Sequence, residues 1–555
     1  MSEEDPPGVR FEVWAPRAAT VHVVIGGRRY EMDRAGETFS LRFPETPGPI
    51  DYSYSIDGRD PRPDPRSNHQ PEGVHGPSRV VDHSSFAWTD TGWSPPPLRE
   101  WIVYELHVGT FTDEGTFAAA LAKLDHLVEL GIGAIELMPV AEFSGTLGWG
   151  YDGVDLYAPH HAYGGPTGLK QLVDACHARG IAVILDVVYN HLGPSGNYLR
   201  EFGPYFTDRH ATPWGPAINF DGPNSDAVRR FLVDNALYWL EHFHLDALRI
   251  DAVHAVIDTS AVHILEQIAH EVAELSRRLG RDLYLIAESD LNDPRLVRRW
   301  DDGGFGLDAQ WSEDFHHALH ALLTGERNGY YSDFGEIMHL ARALENTFVY
   351  AGDYSRYRRR THGRSPAGIP KHRFLAYLQN HDQVGNRARG DRSSQLLDLE
   401  ALKMGAAIVL LSPFVPMLFQ GEEWAASTPF QYFTSHDDPE VGRSVKEGRA
   451  REFATFGWNL ADVPDPQDPA TFERSKLNWN ELDDDPHKSV LDWHRQLIEL
   501  RGRYLPEMTG DLTVSFDDAG RWLQFHTGPV GVHCDFDATA VTVTIDGKVA
   551  LASPG

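Results

Sequence analysis

Four short polar clusters interrupt otherwise apolar, strand-like runs: Asp186-Val-Val-Tyr-Asn190-His191, Arg249-Ile-Asp251-Ala-Val-His254, Ala287-Glu288-Ser289 and Asn380-His381-Asp382. Their carboxyl groups suit the cleavage of a glycosidic bond. That reaction passes through an oxocarbenium-like state and needs a carboxylate on one face of the sugar and a protonated carboxyl at the leaving oxygen. Arg249 lies two residues before Asp251, on the same face of a strand, where it holds Asp251 ionised as a nucleophile. Glu288 follows the apolar run Leu283-Tyr-Leu-Ile-Ala287, where desolvation and a neighbouring Asp raise its pKa. One carboxyl then stays charged while the other keeps its proton. Taken singly, an Asp that ends a strand is more often a helix cap or an ion-pair partner. Four such clusters in order converge on one mouth only if their strands stand side by side.

The elements that must position them follow from the hydrophobic pattern. From Trp101 onward, short apolar strands alternate with amphipathic segments of helical period. Eight strands are expected: Val103–Val108, Ala134–Val140, Ala182–Val188, Ala247–Val253, Leu283–Ala287, Leu307–Trp311, Phe374–Leu378 and Phe414–Phe419. The clusters then end strands three, four, five and seven. This predicts an α/β fold, a closed (β/α)8 TIM barrel over residues 98–502 with chemistry at the C-terminal strand ends. Long excursions are expected near 190–224 and 312–372. Residues 1–95 alternate in the strand manner and read as an N-terminal β-sandwich of the immunoglobulin-like, carbohydrate-binding type, joined by the stiff Pro95-Pro96-Pro97 linker. Residues 508–555 read as a small C-terminal β-domain of four strands.

Composition narrows the partners. The chain has 555 residues and a formal charge of −31, from 50 basic and 81 acidic side chains. Such a surface repels nucleic acid and anionic membranes and favours a neutral substrate. Two cysteines, Cys176 and Cys534, cannot form a disulfide framework. The start, MSEEDPPGVR, lacks a signal pattern, and the cytoplasm is the expected compartment. The stretch Gly148-Trp-Gly150-Tyr-Asp-Gly153 fits a dinucleotide-binding spacing, but bulky rings stand where a pyrophosphate must approach and no helix follows. His316-His317-x-x-His320 could pair imidazoles on one helix face, yet lacks the Glu of a zinc-protease helix. No metal and no cofactor is expected.

On the four clusters, in this order and with these residue types, the chain resembles the α-amylase superfamily across the whole barrel. The resemblance implies Asp251 as nucleophile, Glu288 as general acid/base and Asp382 as the third carboxylate, which stabilises the transition state. It also implies that Asp186, His191, Arg249, His254 and His381 surround the sugar at the cleavage point. Trp149 and Tyr151, after the second strand, resemble the aromatic platform for that ring, since an aromatic face suits the C–H surfaces of glucose; core packing is the alternative for Trp149.

Flanking segments narrow the likeness further. Gln70–Ser78, Glu288–Pro294, Asp308–His320, His381–Asn386 and Gln420–Phe430 resemble the maltooligosyltrehalose trehalohydrolase family. That resemblance implies endo-cleavage of the α-1,4 bond next to a terminal trehalose, with Asp314, His316, His317, His381, Gln383 and Asn386 lining the reducing-side subsites. It also implies a pathway link to maltooligosyltrehalose synthase. A glycogen branching enzyme and an isoamylase-like debranching enzyme share the carboxylates and remain alternatives. An inactive glucan-binding protein is the reading of a different class.

Overall fold

The protein is described by a computed structural model covering residues 8–44, 48–212, 214–455, 463–508 and 512–553, the side chains of 452–455 aside. The acidic start of the sequence, residues 1–7, lies outside the described residues.

Eight parallel strands close into a barrel in chain order: β1 Val103–Leu106, β2 Ala134–Leu137, β3 Ala182–Val187, β4 Ala247–Ile250, β5 Tyr284–Ala287, β6 Ala309–Trp311, β7 Phe374–Ala376 and β8 Val415–Phe419. All eight expected strands are present. Several stop short at their C-terminal ends, β4 at Ile250 instead of Val253, because there the chain leaves the ladder to build the mouth.

Alternate residues of a strand share a face, so the barrel interior fills in tiers. The lower tier is apolar: Val103, Ala134, Ala182, Ile184, Ala247, Ile286, Ala309, Leu375 and Val415 pack together. One step up the same faces stand Glu105, Glu136, Asp186, Arg249 and Glu288, all buried. Register pairs Glu105 with Glu136 and Asp186 with Arg249 across adjacent strands. A charged tier therefore rests directly on the apolar one.

The N-terminal region holds two antiparallel sheets. Strand Val9–Trp14 pairs with Thr38–Phe43, which pairs with Asp33–Ala35; Val21–Ile25 lies between Arg28–Glu31 and Asp51–Ile56. Ion pairs Arg62–Glu201 and Arg66–Asp234, each at 2.9 Å, tie this region to the barrel. At the other end, five strands from Leu512 to Ser553 form an antiparallel sheet. The fifth, Lys548–Ser553, was not expected, because most of its side chains face solvent and its pattern carries little apolar signal.

This sheet packs on the helices Ile337–Asn346 and Leu399–Leu411. The second of these, LEALKMGAAIVLL, is apolar nearly all round, as a helix covered on both sides must be. Two long connections leave the barrel after β3 and β6. One carries the hairpin Phe206–Thr212/Gly215–Ile218. The other carries helices Glu313–Thr324 and Ile337–Asn346 and the hairpin Asp353–Ser355/Arg360–His362. A third excursion, unforeseen, follows β8 and includes helix Pro439–Thr455. No helix among the described residues is long and apolar enough to cross a membrane.

Candidate active site

Arg249 organises the centre. Its guanidinium, fully buried and 4.3 Å above the Trp311 ring, donates from Nη1 to both oxygens of Asp186 (2.8 and 2.7 Å) and to Asp251 Oδ1 (2.9 Å). Its Nη2 lies 2.9 Å from Glu288 Oε2, off the line of a hydrogen bond. One cation thus touches three carboxyl groups from three adjacent strands.

The same surroundings drive two of these carboxyls apart. Burial works to raise Asp251, but the Arg249 charge, His191 and the hydrogen bond from Asn190 Nδ2 to Asp251 Oδ2 (2.7 Å) outweigh it and hold its pKa below the usual value. Glu288 accepts only from the Ala252 backbone N–H (2.6 Å). Burial, against the pull of Arg249 and with the charges of Asp251 and Asp382, pushes it up to about 8. At neutral pH the arrangement holds an ionised Asp251 beside a protonated Glu288, the division of labour that glycoside cleavage needs. Asp382 is a third exposed and accepts from Asn386 Nδ2 (3.0 Å).

A second set of contacts enters from β1 and β2. His381 donates its backbone N–H to Glu105 Oε2 (2.8 Å), and its Nδ1 lies 2.5 Å from Glu105 Oε1. Its Nε2 meets the Tyr151 hydroxyl at 2.7 Å, and that hydroxyl donates to Asp186 Oδ2 at 2.5 Å. His191 sits between Asn190 Oδ1 and the Tyr151 carbonyl (3.0 Å) and stacks on the half-exposed Trp214. His254 is exposed at the rim, 4.0 Å from Asp290. Sequence reasoning missed Glu105 and Trp214. For Glu105 a signal existed, since a charged residue inside the apolar run Val103–Leu106 points into a polar interior.

Several of the expected residues lie away from the open mouth. Trp149 is buried, donates to the Gln431 carbonyl (3.0 Å) and stacks on Phe430, so it backs Tyr151 and His381 instead of presenting a face. Asp314 turns away from the mouth: it accepts from Asn292 Nδ2 and the Val349 and Tyr350 backbone N–H groups (2.8–2.9 Å). His316 is fully buried between the Leu378 carbonyl (2.7 Å) and the Tyr331 hydroxyl (2.9 Å). His317 is buried against Tyr330 and Phe334. The helix starting at Glu313 rotates these side chains into its packed face, a rotation that spacing alone does not fix. Gln383 is partly exposed and accepts from Tyr330 and Tyr331, and Asn386 bridges Asp382 and Arg449.

A cluster of metal-ligand type, Glu142 with His160 and His161, lies below the platform loop. Its Glu142 Oε1 is bonded by the Nδ1 atoms of both imidazoles (3.0 and 2.7 Å), while His160 Nε2 is buried without a partner among the described residues.

The family model "Alpha amylase, catalytic domain" matches residues 83–211. Malto-oligosyltrehalose trehalohydrolase of Arthrobacter ramosus is 51% identical over 98% of this chain and 95% of its own length. That of Saccharolobus solfataricus is 44% identical over 99% and 94%. A crystal structure of a candidate alpha amylase from Salmonella typhimurium superimposes with a TM-score of 0.90 at 42% identity, covering 97% of this chain and 93% of that one. A Bacillus acidopullulyticus pullulanase, at 18% identity and a TM-score of 0.69, shares the fold. With relatives of this similarity along nearly its whole length, the chain belongs to the malto-oligosyltrehalose trehalohydrolase family of α-amylase-type glycoside hydrolases.

Proposed function

We propose that the protein is a retaining glycoside hydrolase that cuts the α-1,4-glucosidic bond next to the terminal trehalose of maltooligosyl trehalose and releases trehalose. Asp251 attacks the anomeric carbon while Glu288 gives its proton to the leaving oxygen. The bond to trehalose breaks and a glycosyl ester with Asp251 forms. Glu288, now ionised, takes a proton from water, which hydrolyses the ester and restores both carboxyls. Asp382, Asp186, Tyr151, His191 and His381 surround the ring during both steps. The observation that carries this reading is the opposite displacement of Asp251 and Glu288 around one arginine. The substrate rests on the relatives' name and on their match along almost the entire chain. The same reading makes the enzyme a consumer of the product of maltooligosyltrehalose synthase, and we assign it to the cytoplasm.

Maltopentaosyltrehalose and maltohexaose, offered separately, distinguish the readings. Fast trehalose release from the first alone is expected, with the new reducing end born in the α configuration by NMR. Asp251→Ala and Glu288→Gln should each lower kcat on the order of 10³-fold or more. Equal cleavage of both substrates, or new 1,6 branches, would replace the substrate assignment, and a β anomer would replace the covalent route.

A further inference from the structure

The carboxyls around Arg249 stand on β3 and just after β4 and β5, and Asp382 lies in the turn after β7. The deepest contact with the centre comes from β1, where Glu105 is fully buried and engages both the main-chain N–H and the ring of His381. From there one unbroken line of contacts runs His381 Nε2 to Tyr151 (2.7 Å), Tyr151 to Asp186 (2.5 Å), and Asp186 to Arg249 (2.7 Å), which holds Asp251 (2.9 Å).

The proton count along that line admits two states. Tyr151 has a single proton and two neighbours that could take it, Asp186 Oδ2 and His381 Nε2. With Nε2 protonated, His381 donates to the phenol oxygen and the phenol proton goes to Asp186. With Nε2 bare, His381 competes for that proton, and Asp186 loses a donor beside the arginine that orients the nucleophile. We propose that Glu105 is the positioning residue that selects the first state, keeping His381 a two-proton donor so that the Tyr151 hydroxyl stays committed to Asp186. The inference rests on the assignment of Asp251 and Glu288 as the reacting pair.

The groups around His381 favour the same state. Glu105 faces it from β1, Glu136 from β2, Tyr151 and Trp149 from the loop after β2, Asp186 from β3, Arg249 from β4 and Trp311 from β6; His107 approaches from the turn after β1, and Asp382 follows it in the chain. Burial works against the charged ring, and so does Arg249, but Glu105 and Asp382 prevail and hold its pKa up to about 10. Glu136 has both oxygens buried without partners, and burial together with the Glu105 charge raises its pKa, so it stands as the neutral member of the pair. That leaves Glu105, in contact with both the main-chain N–H and the Nδ1 of His381, as the carboxyl that faces the imidazole.

Glu105→Gln keeps the side chain's size and removes its charge. The test compares kcat/KM of the variant and the parent chain on maltopentaosyltrehalose between pH 5.5 and 8, together with the ring ¹⁵N shifts of His381, assigned by their loss in His381→Gln. In the parent chain both ring nitrogens should stay protonated across the range. In the variant the ring should titrate near its ordinary value of about 6.5, and the variant-to-parent rate ratio should fall with it by roughly thirtyfold from pH 5.5 to 8. A rate ratio that is constant with pH overturns the proposal and leaves Glu105 a packing group. A His381 ring that titrates below pH 8 in the parent chain overturns it too, whether or not the variant folds. Full activity in Asp251→Ala would instead strike the reaction assignment and leave the ring measurement intact.

Discussion

Burial and Arg249 together give the centre its pH behaviour. In the proposed reaction Asp251 must be ionised to attack, and its pKa is held below the usual carboxylate value, so that requirement is met throughout the neutral range. As the proposed proton donor Glu288 must be protonated, and its pKa stands at about 8, so activity should be present below that value and lost as pH rises through it. We expect a kcat/KM profile that is flat from mildly acidic to neutral pH and falls on an alkaline limb near pH 8. A profile still level at pH 10 would remove Glu288 as the proton donor. The sign for stability is separate: a carboxyl whose folded pKa is raised leaves the fold at full stability below its unfolded value of about 4.3 and costs stability progressively as pH rises from there through about 8. The site therefore holds Glu288 at a standing expense to the fold.

Elements decide which neighbours of a motif reach the mouth. The barrel strands were legible because strands buried on both faces read as short apolar runs, and the carboxyls were legible because each ends such a run. The segment after β6 was not. Asp314, His316 and His317 sit in the likeness to the family's reducing-side residues, yet the helix from Glu313 turns all three inward. Trp149, for which the sequence left core packing as the alternative, is the covered ring of the pair, and Tyr151 the one that reaches Asp186 and His381. Asp314 makes this placement testable. Asp314→Ala strips three donors of their acceptor, which should lower stability by roughly 3 kcal/mol. Thermal unfolding should shift accordingly, while KM for maltopentaosyltrehalose measured well below Tm changes less than about twofold, the direct contact being absent. An unchanged Tm with a large rise in KM would return Asp314 to the subsite.

At the scale of the molecule, the barrel is held from outside as much as from within. The terminal sheet covers helices Ile337–Asn346 and Leu399–Leu411, and the latter is buried along almost all its length from Ala401 to Leu411. Removing residues 509–555 should leave an apolar helix face open to water. The shortened chain is expected to aggregate on expression, and a soluble monomer with the parent's Tm would show the cover to be dispensable. That arrangement also sets an order of events during synthesis. The helix that most needs shelter leaves the ribosome about a hundred residues before the strands that shelter it, seconds to tens of seconds at ordinary elongation rates. For that interval the nascent chain carries a sticky surface that its own later part must claim before another chain does. Slower elongation between residues 411 and 512 should lengthen the exposure, and the yield of native enzyme becomes a race between translation and misassembly.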